Sequence, residues 1–166
     1  VLTGGRLTAE DAFAYSKFAR VALGTNDIDF RARPLSAEET SFLAAEVVLR
    51  STVTYADLEQ AATVVLAGLE PEDEAGTLFL RLRKATLHGT TAVLAIAPGI
   101  TRGLAKLDAR LLRTAPGEEA AALESLVEHA SHGVDKRSII LVGERLATSP
   151  GALTAAAAAA ARTGAR

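Results

Sequence analysis

The sequence predicts an α/β fold in three layers, in which a mostly parallel sheet is covered by helices on both faces. Three short apolar runs rich in β-branched residues are typical of strands buried on both sides: Thr63–Ala67, residues 91–97 and Ser138–Val142. Segments with helical spacing of apolar residues separate these runs. Alternating strands and helices favour parallel pairing, because each crossover helix then covers one face of the sheet.

The length and composition are those of one compact domain, residues 1–166. The 166 residues are 49% hydrophobic and 23% charged. A chain of this size can bury about 70% of the surface that it exposes when unfolded. The net charge of −2 gives no basis for a nucleic acid partner. No apolar run reaches the roughly 18 residues that cross a bilayer, so we expect no direct membrane insertion.

Cysteine and methionine are both absent from the sequence. Without cysteine, this segment has no disulfide and no thiolate ligand for an iron–sulfur cluster. The missing methionine, together with an opening that reads like the end of a strand, predicts a piece of a longer protein. Any activity inferred for the chain can therefore belong to that longer protein.

In the first third of the chain, capping signatures predict two helices. Thr8 opens the first, which is expected to end near residue 23, and Ser36 opens the second, which is expected to end near residue 49. Both caps have an acid three residues later. Residues 1–3 are predicted to end a strand, and residues 26–30 to form a short strand or an extended loop.

The other elements follow in the same way. Thr54, with an acid three residues later, caps a short helix before the first buried strand. One helix is predicted from Pro71 to about residue 88, and its acidic start and basic end favour it over the strand that its alternating leucines suggest. An edge strand at residues 109–112, a helix at residues 117–130 and an alanine-rich final helix, capped by Ser149 with Pro150 in its first turn, complete the prediction.

The turn after Thr63–Ala67 carries the most informative charges. At the carboxyl end of a strand in an open α/β sheet, the N–H groups of the following helix usually bind anions. Here that helix begins with four acids, which offset the helix dipole and repel a phosphate: Glu70, Glu72, Asp73 and Glu74. A cation site is one interpretation, but we favour a charged first turn at a solvated surface.

The other candidates for chemistry are weak. Arg81, Arg83 and Lys84 are expected to form ion pairs along their helix or to contact a partner protein, rather than to bind phosphate. His129 and His132 can share one side of a helix, but a metal site needs three or four ligands, and the sequence suggests no third. Serine-elbow and phosphate-loop motifs are absent. We therefore predict no catalytic residue and no metal ligand.

Four segments of the sequence resemble the molybdopterin oxidoreductase family. Gly-Arg-Leu-Thr-Ala-Glu-Asp at residues 5–11 and Gly-Thr-Asn-Asp-Ile-Asp at residues 24–29 are similar to the family's G-R-x-T-x-E-D helix and G-T-N-x-I-D strand. Val-Val-Leu-Ala-Gly-Leu-Glu-Pro at residues 64–71 is similar to the family's strand and G-x-N-P turn. Phe-Leu-Arg-Leu-Arg-Lys-Ala at residues 79–85 resembles the complex I branch of the family, in which an R-x-R-K-A run follows that turn.

The resemblance implies a Rossmann-like, molybdopterin-oxidoreductase-like domain without catalysis of its own. In the complex I branch, the parent chain carries iron–sulfur clusters in a separate N-terminal portion, these clusters pass electrons from NADH toward quinone, and the molybdenum cofactor is lacking. The resemblance thus implies no cofactor in this segment and other subunits of the peripheral arm of complex I as partners. It places that arm on the cytoplasmic side of the bacterial inner membrane, within a proton-translocating enzyme.

Two departures from the family pattern bear on the cofactor pocket. Glu70 stands where the family has asparagine, and residues 97–101 read Ala-Pro-Gly-Ile-Thr where the family has D-P-R-x-T. An aspartate there could accept hydrogen bonds from a guanine or ribose, and an arginine could pair with phosphate. We therefore predict a vestigial pocket that binds no cofactor, with seven candidate positions: Thr25, Asn26, Gly68, Glu70, Pro71, Ala97 and Gly99.

Two other functions stay open at the level of sequence. The chain can be the cofactor-binding domain of an active molybdopterin-dependent oxidoreductase, such as a formate dehydrogenase. It can also be an unrelated nucleotide-binding module, like the middle domain of thiamine-dependent enzymes, since a fold alone does not define a function.

Overall fold

The computed structural model describes residues 1–5, 7–30, 36–48 and 53–166, with the backbone alone for residue 130. The chain divides into two compact units, Val1–Leu35 and Ser36–Arg166. A single domain over residues 1–166 remains a prediction.

In its described residues, the first unit contains the helix α1 (Ala9–Val21). The Thr8 hydroxyl accepts a hydrogen bond from the Asp11 N–H at 3.2 Å, so the predicted cap is confirmed. Within the same unit, Leu2 and Asp29 form one parallel bridge. The predicted strand end at residues 1–3 and the extended stretch at residues 26–30 thus pair with each other.

The second unit is centred on a four-stranded sheet in which every strand runs parallel to its neighbours. The strands are β1 (Thr63–Ala67), β2 (Ala92–Ala97), β3 (Arg110–Arg113) and β4 (Ser138–Val142), in the spatial order β3-β2-β1-β4. Val65 of β1 lies opposite Leu94 of β2 on one side and Ile140 of β4 on the other. All five β1 residues are buried, which explains their uninterrupted apolar sequence.

Seven α-helices, one π-helical segment and two 3₁₀ segments belong to the described part of the second unit. They are α2 (Ala37–Phe42) with its π-helical continuation Leu43–Val48, α3 (Tyr55–Gln60), α4 (Pro71–Glu74), α5 (Gly76–Leu87), α6 (Arg102–Lys106), α7 (Glu119–Glu128), the 3₁₀ segments Ala130–His132 and Glu144–Thr148, and α8 (Ala152–Thr163). Of all the helices in the described ranges, none has the length and apolar character needed to cross a membrane.

The core consists of two apolar layers, one on each face of the sheet. Val64 and Leu66 of β1 pack on one face in a cluster with Leu82 of α5. Val65 of β1 packs on the other face in a cluster with Leu123 of α7. Successive strand residues point to opposite faces, so β1 supplies both layers. The predicted three-layer α/β architecture is confirmed.

Three helix predictions differ from the structure in their extent. The helix predicted from Pro71 to residue 88 is broken at Ala75 (φ −148°, ψ 66°) into α4 and α5. The helix predicted from Ser36 changes to a π-helix at Leu43, and its predicted end at residue 49 lies outside the described residues. Helix α6 was not predicted, because its cap, Thr101, lacks the acid three residues later that marks the other caps.

The cap of α8 also differs from the prediction. Ser149 and Pro150 precede the helix, and its N-cap is Gly151 in the left-handed conformation (φ 80°). The capping acceptor is instead the Glu38 carboxylate of α2, which accepts hydrogen bonds from the Gly151 N–H at 2.9 Å and from the Thr154 N–H at 2.8 Å. Glu38 is 113 residues from Gly151 in the sequence, so no local pattern could indicate this contact.

Candidate functional site

The sheet order defines where a ligand of this fold would bind. From β1, the chain proceeds to β2 on one side, whereas β4 lies on the other side of β1. In open α/β sheets, ligands bind at such a switch point, in the crevice beyond the carboxyl ends of the two strands. In this chain the crevice follows Ala67 of β1 and Val142 of β4, and it is the candidate functional site.

Two glycines bring the backbones that leave β1 and β4 into direct contact. The Gly143 N–H donates to the Ala67 carbonyl at 2.9 Å, which extends the β1–β4 pairing beyond the strands. A Cβ atom on Gly143 would lie 2.1 Å from the Gly68 carbonyl oxygen and 2.8 Å from the Leu69 Cα. Gly143 has an ordinary φ of −87°, so its need for glycine is one of space and not of conformation.

The crevice beside this contact is filled by a leucine. Gly68 has a φ of +62°, and a Cβ atom there would lie 2.7 Å from the Leu146 nitrogen and 2.9 Å from its Cβ. Leu146 belongs to the 3₁₀ segment after β4, and only 1% of its surface is exposed. The backbone at Gly68 therefore packs on the protein's own apolar core, at the position where a glycine turn in this fold usually approaches a ligand.

The Glu70 carboxylate occupies the space between the first turns of α4 and α6. Glu70 is only 8% exposed. Its Oε2 accepts a hydrogen bond from the Thr101 hydroxyl, and its Oε1 accepts one from the Glu72 N–H at 3.3 Å. A Cβ atom on Gly103 of α6 would lie 2.2 Å from Glu70 Oε1, so the absence of a side chain there makes room for the carboxylate.

The acidic turn is only partly solvated, because most of its carboxylates have partners within the protein. Glu72 forms an ion pair with Lys106 of α6. The Glu74 carboxylate accepts the Glu70 N–H at 2.9 Å and pairs with Arg145 at 2.8 Å. Of the four acids, only Asp73 is exposed. The expectation of an acidic first helical turn is confirmed, and three of its four carboxylates join α4 to itself or to neighbouring segments.

The basic group on α5 also differs from the prediction, because its ion pairs join two helices instead of running along one. Arg81 and Lys84 both pair with Glu59 of α3, at 2.7 and 2.9 Å. Arg83 donates to the Lys106 carbonyl at 2.7 Å. These three cations lie on a helix that supports the sheet, and two of them are joined to the same carboxylate.

The structure gathers five of the seven predicted pocket positions at the ends of two neighbouring strands. Three follow β1, one ends β2 and one lies in the bend after it: Gly68, Glu70, Pro71, Ala97 and Gly99. Pro71 is buried at the first position of α4, whereas a Cβ atom on Gly99 would meet nothing within 4 Å. No close contact with other protein atoms therefore requires a glycine at position 99.

The other two predicted positions belong to the first unit, where local hydrogen bonds engage their side chains. The Thr25 hydroxyl accepts the Asp27 N–H at 3.0 Å. The Asn26 side-chain oxygen accepts a hydrogen bond from Arg20 Nε at 2.9 Å. Both side chains thus stabilise the segment that follows α1.

The residues at the crevice do not fit an anionic dinucleotide. A pyrophosphate would need donors at the start of the helix after β1 and open space beside the glycine turn. Here the Thr101 hydroxyl and the Glu72 N–H already donate to Glu70, a carboxylate of the same sign as a phosphate. Leu146 fills the space next to Gly68. No reaction step through a bound pterin follows from this arrangement.

The two neighbouring histidines do not form a metal centre with other side chains. The ring centroids of His129 and His132 lie 5.8 Å apart, edge to face, at the end of α7. Burial, followed by the positive charge of Arg110 and by His129, lowers the pKa of His132. Across the described parts of the chain, no group of three or more His, Asp or Glu side chains is arranged to hold a metal ion.

A cavity of about 560 Å³ lies at the opposite, amino-terminal edge of the sheet. Polar side chains that line the cavity form hydrogen bonds within the protein. Arg110 donates to the Ser131 and His132 carbonyls at 3.0 and 2.7 Å. The Thr63 hydroxyl donates to the Gly133 carbonyl at 3.0 Å. These bonds attach the loop after α7 to strands β1 and β3. The polar side chains that line the cavity are therefore explained by their structural role.

Comparison with known families agrees with this architecture. The sequence profile of the molybdopterin oxidoreductase family matches residues 1–162. The chain belongs to the molybdopterin oxidoreductase family. The family predicted from the sequence motifs is thereby confirmed, although the residues at the crevice do not fit the cofactor for which the family is named.

Similar proteins point to one branch of the family. The chain is 57% identical over 169 residues to proteins of Mycobacterium bovis and Mycobacterium tuberculosis, and 48% identical over 191 residues to one of Streptomyces coelicolor. All three relatives are named as the same subunit of NADH-quinone oxidoreductase. The matches cover all of this chain but only 21% to 23% of each relative, so the chain spans about a fifth of their length.

Sequence reasoning missed the residues that close the crevice. Gly143 and Leu146 follow the last strand, and Thr101 and Gly103 follow the second. A glycine directly after β4 was the available signal for Gly143, since a glycine next to a buried strand often marks a close backbone approach. Nothing near Thr101 in the sequence indicates that its hydroxyl bonds to Glu70, because this contact joins residues 31 positions apart.

Proposed function

We propose that the chain is a non-catalytic structural domain of an NADH-quinone oxidoreductase subunit. The longer protein would carry iron–sulfur clusters outside this segment and pass electrons from NADH to quinone. The domain would contact other subunits of the peripheral arm, on the cytoplasmic side of the membrane. Its function would be to hold the cluster-bearing parts at fixed distances from one another.

The observation that carries this proposal is that protein atoms occupy the family's ligand crevice. The Glu70 carboxylate lies where a bound anion would lie, and Leu146 fills the space beside Gly68. At Gly143, the two backbones are in direct contact, so no opening remains between them. The names of the relatives support the same function, because these 48–57% identical proteins are all named as one subunit of that enzyme. A filled crevice suits a domain that acts through its rigidity.

The test is to replace Glu70 within the complete complex of a bacterium that carries this chain. Glu70→Ala removes the shared acceptor of the Thr101 hydroxyl and the Glu72 N–H, and a hydrogen bond to a charged group contributes about 1.5–3 kcal/mol. We expect less assembled complex in the membrane and an unchanged NADH:quinone turnover per assembled complex. Asp73→Ala is the matched control, because Asp73 is an exposed acid on the same helix.

Two results would contradict the proposal. Full assembly of the Glu70→Ala complex with reduced turnover per complex would place Glu70 in the chemistry. Unchanged assembly and unchanged turnover would remove the structural function assigned to the filled crevice. The molybdenum and pterin content of the purified full-length protein supplies an independent measurement, and a stoichiometric pterin would favour an active molybdopterin oxidoreductase.

A further inference from the structure

The short loop after α7, residues 129–133, is held against the sheet by side chains of two strands. Arg110 donates to the carbonyls of Ser131 and His132, and Thr63 donates to the carbonyl of Gly133. Arg110 and Thr63 are the first residues of β3 and β1, so both side chains lie at the amino-terminal edge of the sheet. The loop therefore forms part of the wall of the 560 Å³ cavity at that edge.

The loop lies between two points that are fixed in the apolar core. Before it, Leu126 of α7 is only 2% exposed, and after it, Val134 packs against the same core layer. Gly133, which joins the loop to Val134, has a φ of 68°, in the left-handed region that glycine adopts without steric cost. The loop can therefore leave the sheet while α7 and β4 stay in place.

Two imidazole rings lie in this loop beside the Arg110 guanidinium. Their edge-to-face contact places the His132 ring between the His129 ring and Arg110, which both disfavour a positive charge on it. Burial is the largest cause that lowers the pKa of His132, and the charge of Arg110 is the second. The His129 ring donates from Nδ1 to the Ser125 carbonyl at 3.2 Å, a bond that it keeps when protonated. The acid-sensitive group of the loop is therefore His132.

The other charged side chains around the loop face solvent. They lie on the turn before β3, on α7 and between the loop and β4: Asp108, Glu128, Asp135, Lys136 and Arg137. Asp108 lines the same cavity. Since the pKa of His132 is lowered and not raised, these carboxylates do not outweigh burial and the charge of Arg110.

We propose that residues 129–133 form an acid-released latch, which stays on the sheet while the His132 imidazole is neutral and leaves Arg110 and Thr63 when that ring takes up a proton. Release opens the cavity to solvent. A histidine whose pKa is lowered in the closed form stabilises that form fully above pH 6.5, its ordinary value, and the stabilisation is lost progressively as the pH falls below it. The inference is independent of the proposed function, because the loop lies at the opposite edge of the sheet from the crevice.

The test is amide hydrogen exchange of the chain at about pH 7.5 and about pH 5.5, with each rate divided by that of an unstructured amide at the same pH. The His132 N–H, which donates to the His129 carbonyl at 3.0 Å, reports on the loop. The amide of Val65, in the central strand β1, reports on unfolding of the whole domain. We expect protection of the His132 amide to fall by about threefold or more at the lower pH, while protection of Val65 is unchanged.

Substitutions of histidine identify the group that responds. His132→Gln takes up no proton, so it should remove the fall in protection at position 132, and His132→Asn provides the same test should the first variant not fold. His88→Gln is the matched control and should retain the fall, because His88 is an exposed histidine at the end of α5.

Three results would overturn the latch. Equal protection of the His132 amide at the two pH values would mean that acid does not release the loop. A fall that persists when His132 is replaced would assign the sensitivity to another group. An equal fall at Val65 would mean that the whole domain unfolds and not the loop alone.

Discussion

Replacing Gly143 with alanine tests the closed crevice most directly, because the change adds one methyl group at the contact between two backbones. The new Cβ would lie 2.1 Å from the Gly68 carbonyl oxygen, whereas ordinary contacts begin at 3.4 Å. The two chain segments must therefore separate by roughly 1 Å. The neighbours are backbone atoms, which cannot change rotamer to make room. Overpacking of this kind costs about 1–3 kcal/mol, and we expect the upper end of that range here.

The assay is urea unfolding of the Gly143→Ala chain, checked by thermal unfolding. A loss of about 3 kcal/mol corresponds to a decrease in Tm of roughly 6–12 °C for a domain of this size. Gly99→Ala is the matched control, since a Cβ there meets nothing within 4 Å and its φ is not positive. A Gly143→Ala chain as stable as the wild type would refute the close contact, and with it the claim that backbone atoms close the crevice.

Three further predictions concern the second unit. Leu82→Ala should lower the free energy of unfolding by about 2–5 kcal/mol because Leu82 is fully buried, whereas Leu80→Ala on the exposed side of α5 should change it by less than about 0.5 kcal/mol in the same urea assay. Glu38→Gln should cost about 1 kcal/mol at neutral pH. The Thr154 N–H bond, the largest cause, lowers the pKa of Glu38 below 4.5. The stabilisation is therefore present above pH 4.5, and the difference from wild type should shrink as unfolding is measured at lower pH. The pKa of Asp57, lowered from 3.8 to about 2 chiefly by the Thr54 hydroxyl, should be visible in an NMR titration, and a value near 3.8 would contradict the capping box.

Local signals predicted much of this fold, because the physics that forms its elements acts over a few residues. The caps at Thr8, Ser36 and Thr54 bond to the N–H group three residues later, as their sequences indicate. Strand β1 has its predicted bounds, since a short run rich in β-branched apolar residues and followed by a glycine turn is typical of a strand covered on both faces. The edge strand predicted at residues 109–112 is found one residue later, as β3.

The elements that were mispredicted depend on contacts between distant parts of the chain. Ser149 and Pro150 have the local chemistry of a helix start, yet α8 begins at Ala152 with Gly151 as its N-cap. Glu38 supplies the acceptor from another helix, so the local residues need not cap it. The acidic turn after β1 was likewise interpreted as solvated, because its sequence does not reveal that Lys106 and Arg145 lie close enough to pair with it.

The candidate site depends both on local signals and on contacts between distant residues. The acid that is unfavourable to a dinucleotide could therefore be predicted from the sequence, but the contacts that hold this acid in place could not. Glu70 alone indicates a position unfavourable to phosphate, since a carboxylate at the start of a helix takes the place of an external anion. An acid there would still be compatible with an open pocket if its side chain turned to solvent. The structure excludes that arrangement, because Gly103 makes space for the carboxylate and Thr101 donates to it. The sequence shows the negative charge of Glu70, whereas only the fold creates the space that holds it. As a result, the Glu70 carboxylate occupies the position where an external anion would bind.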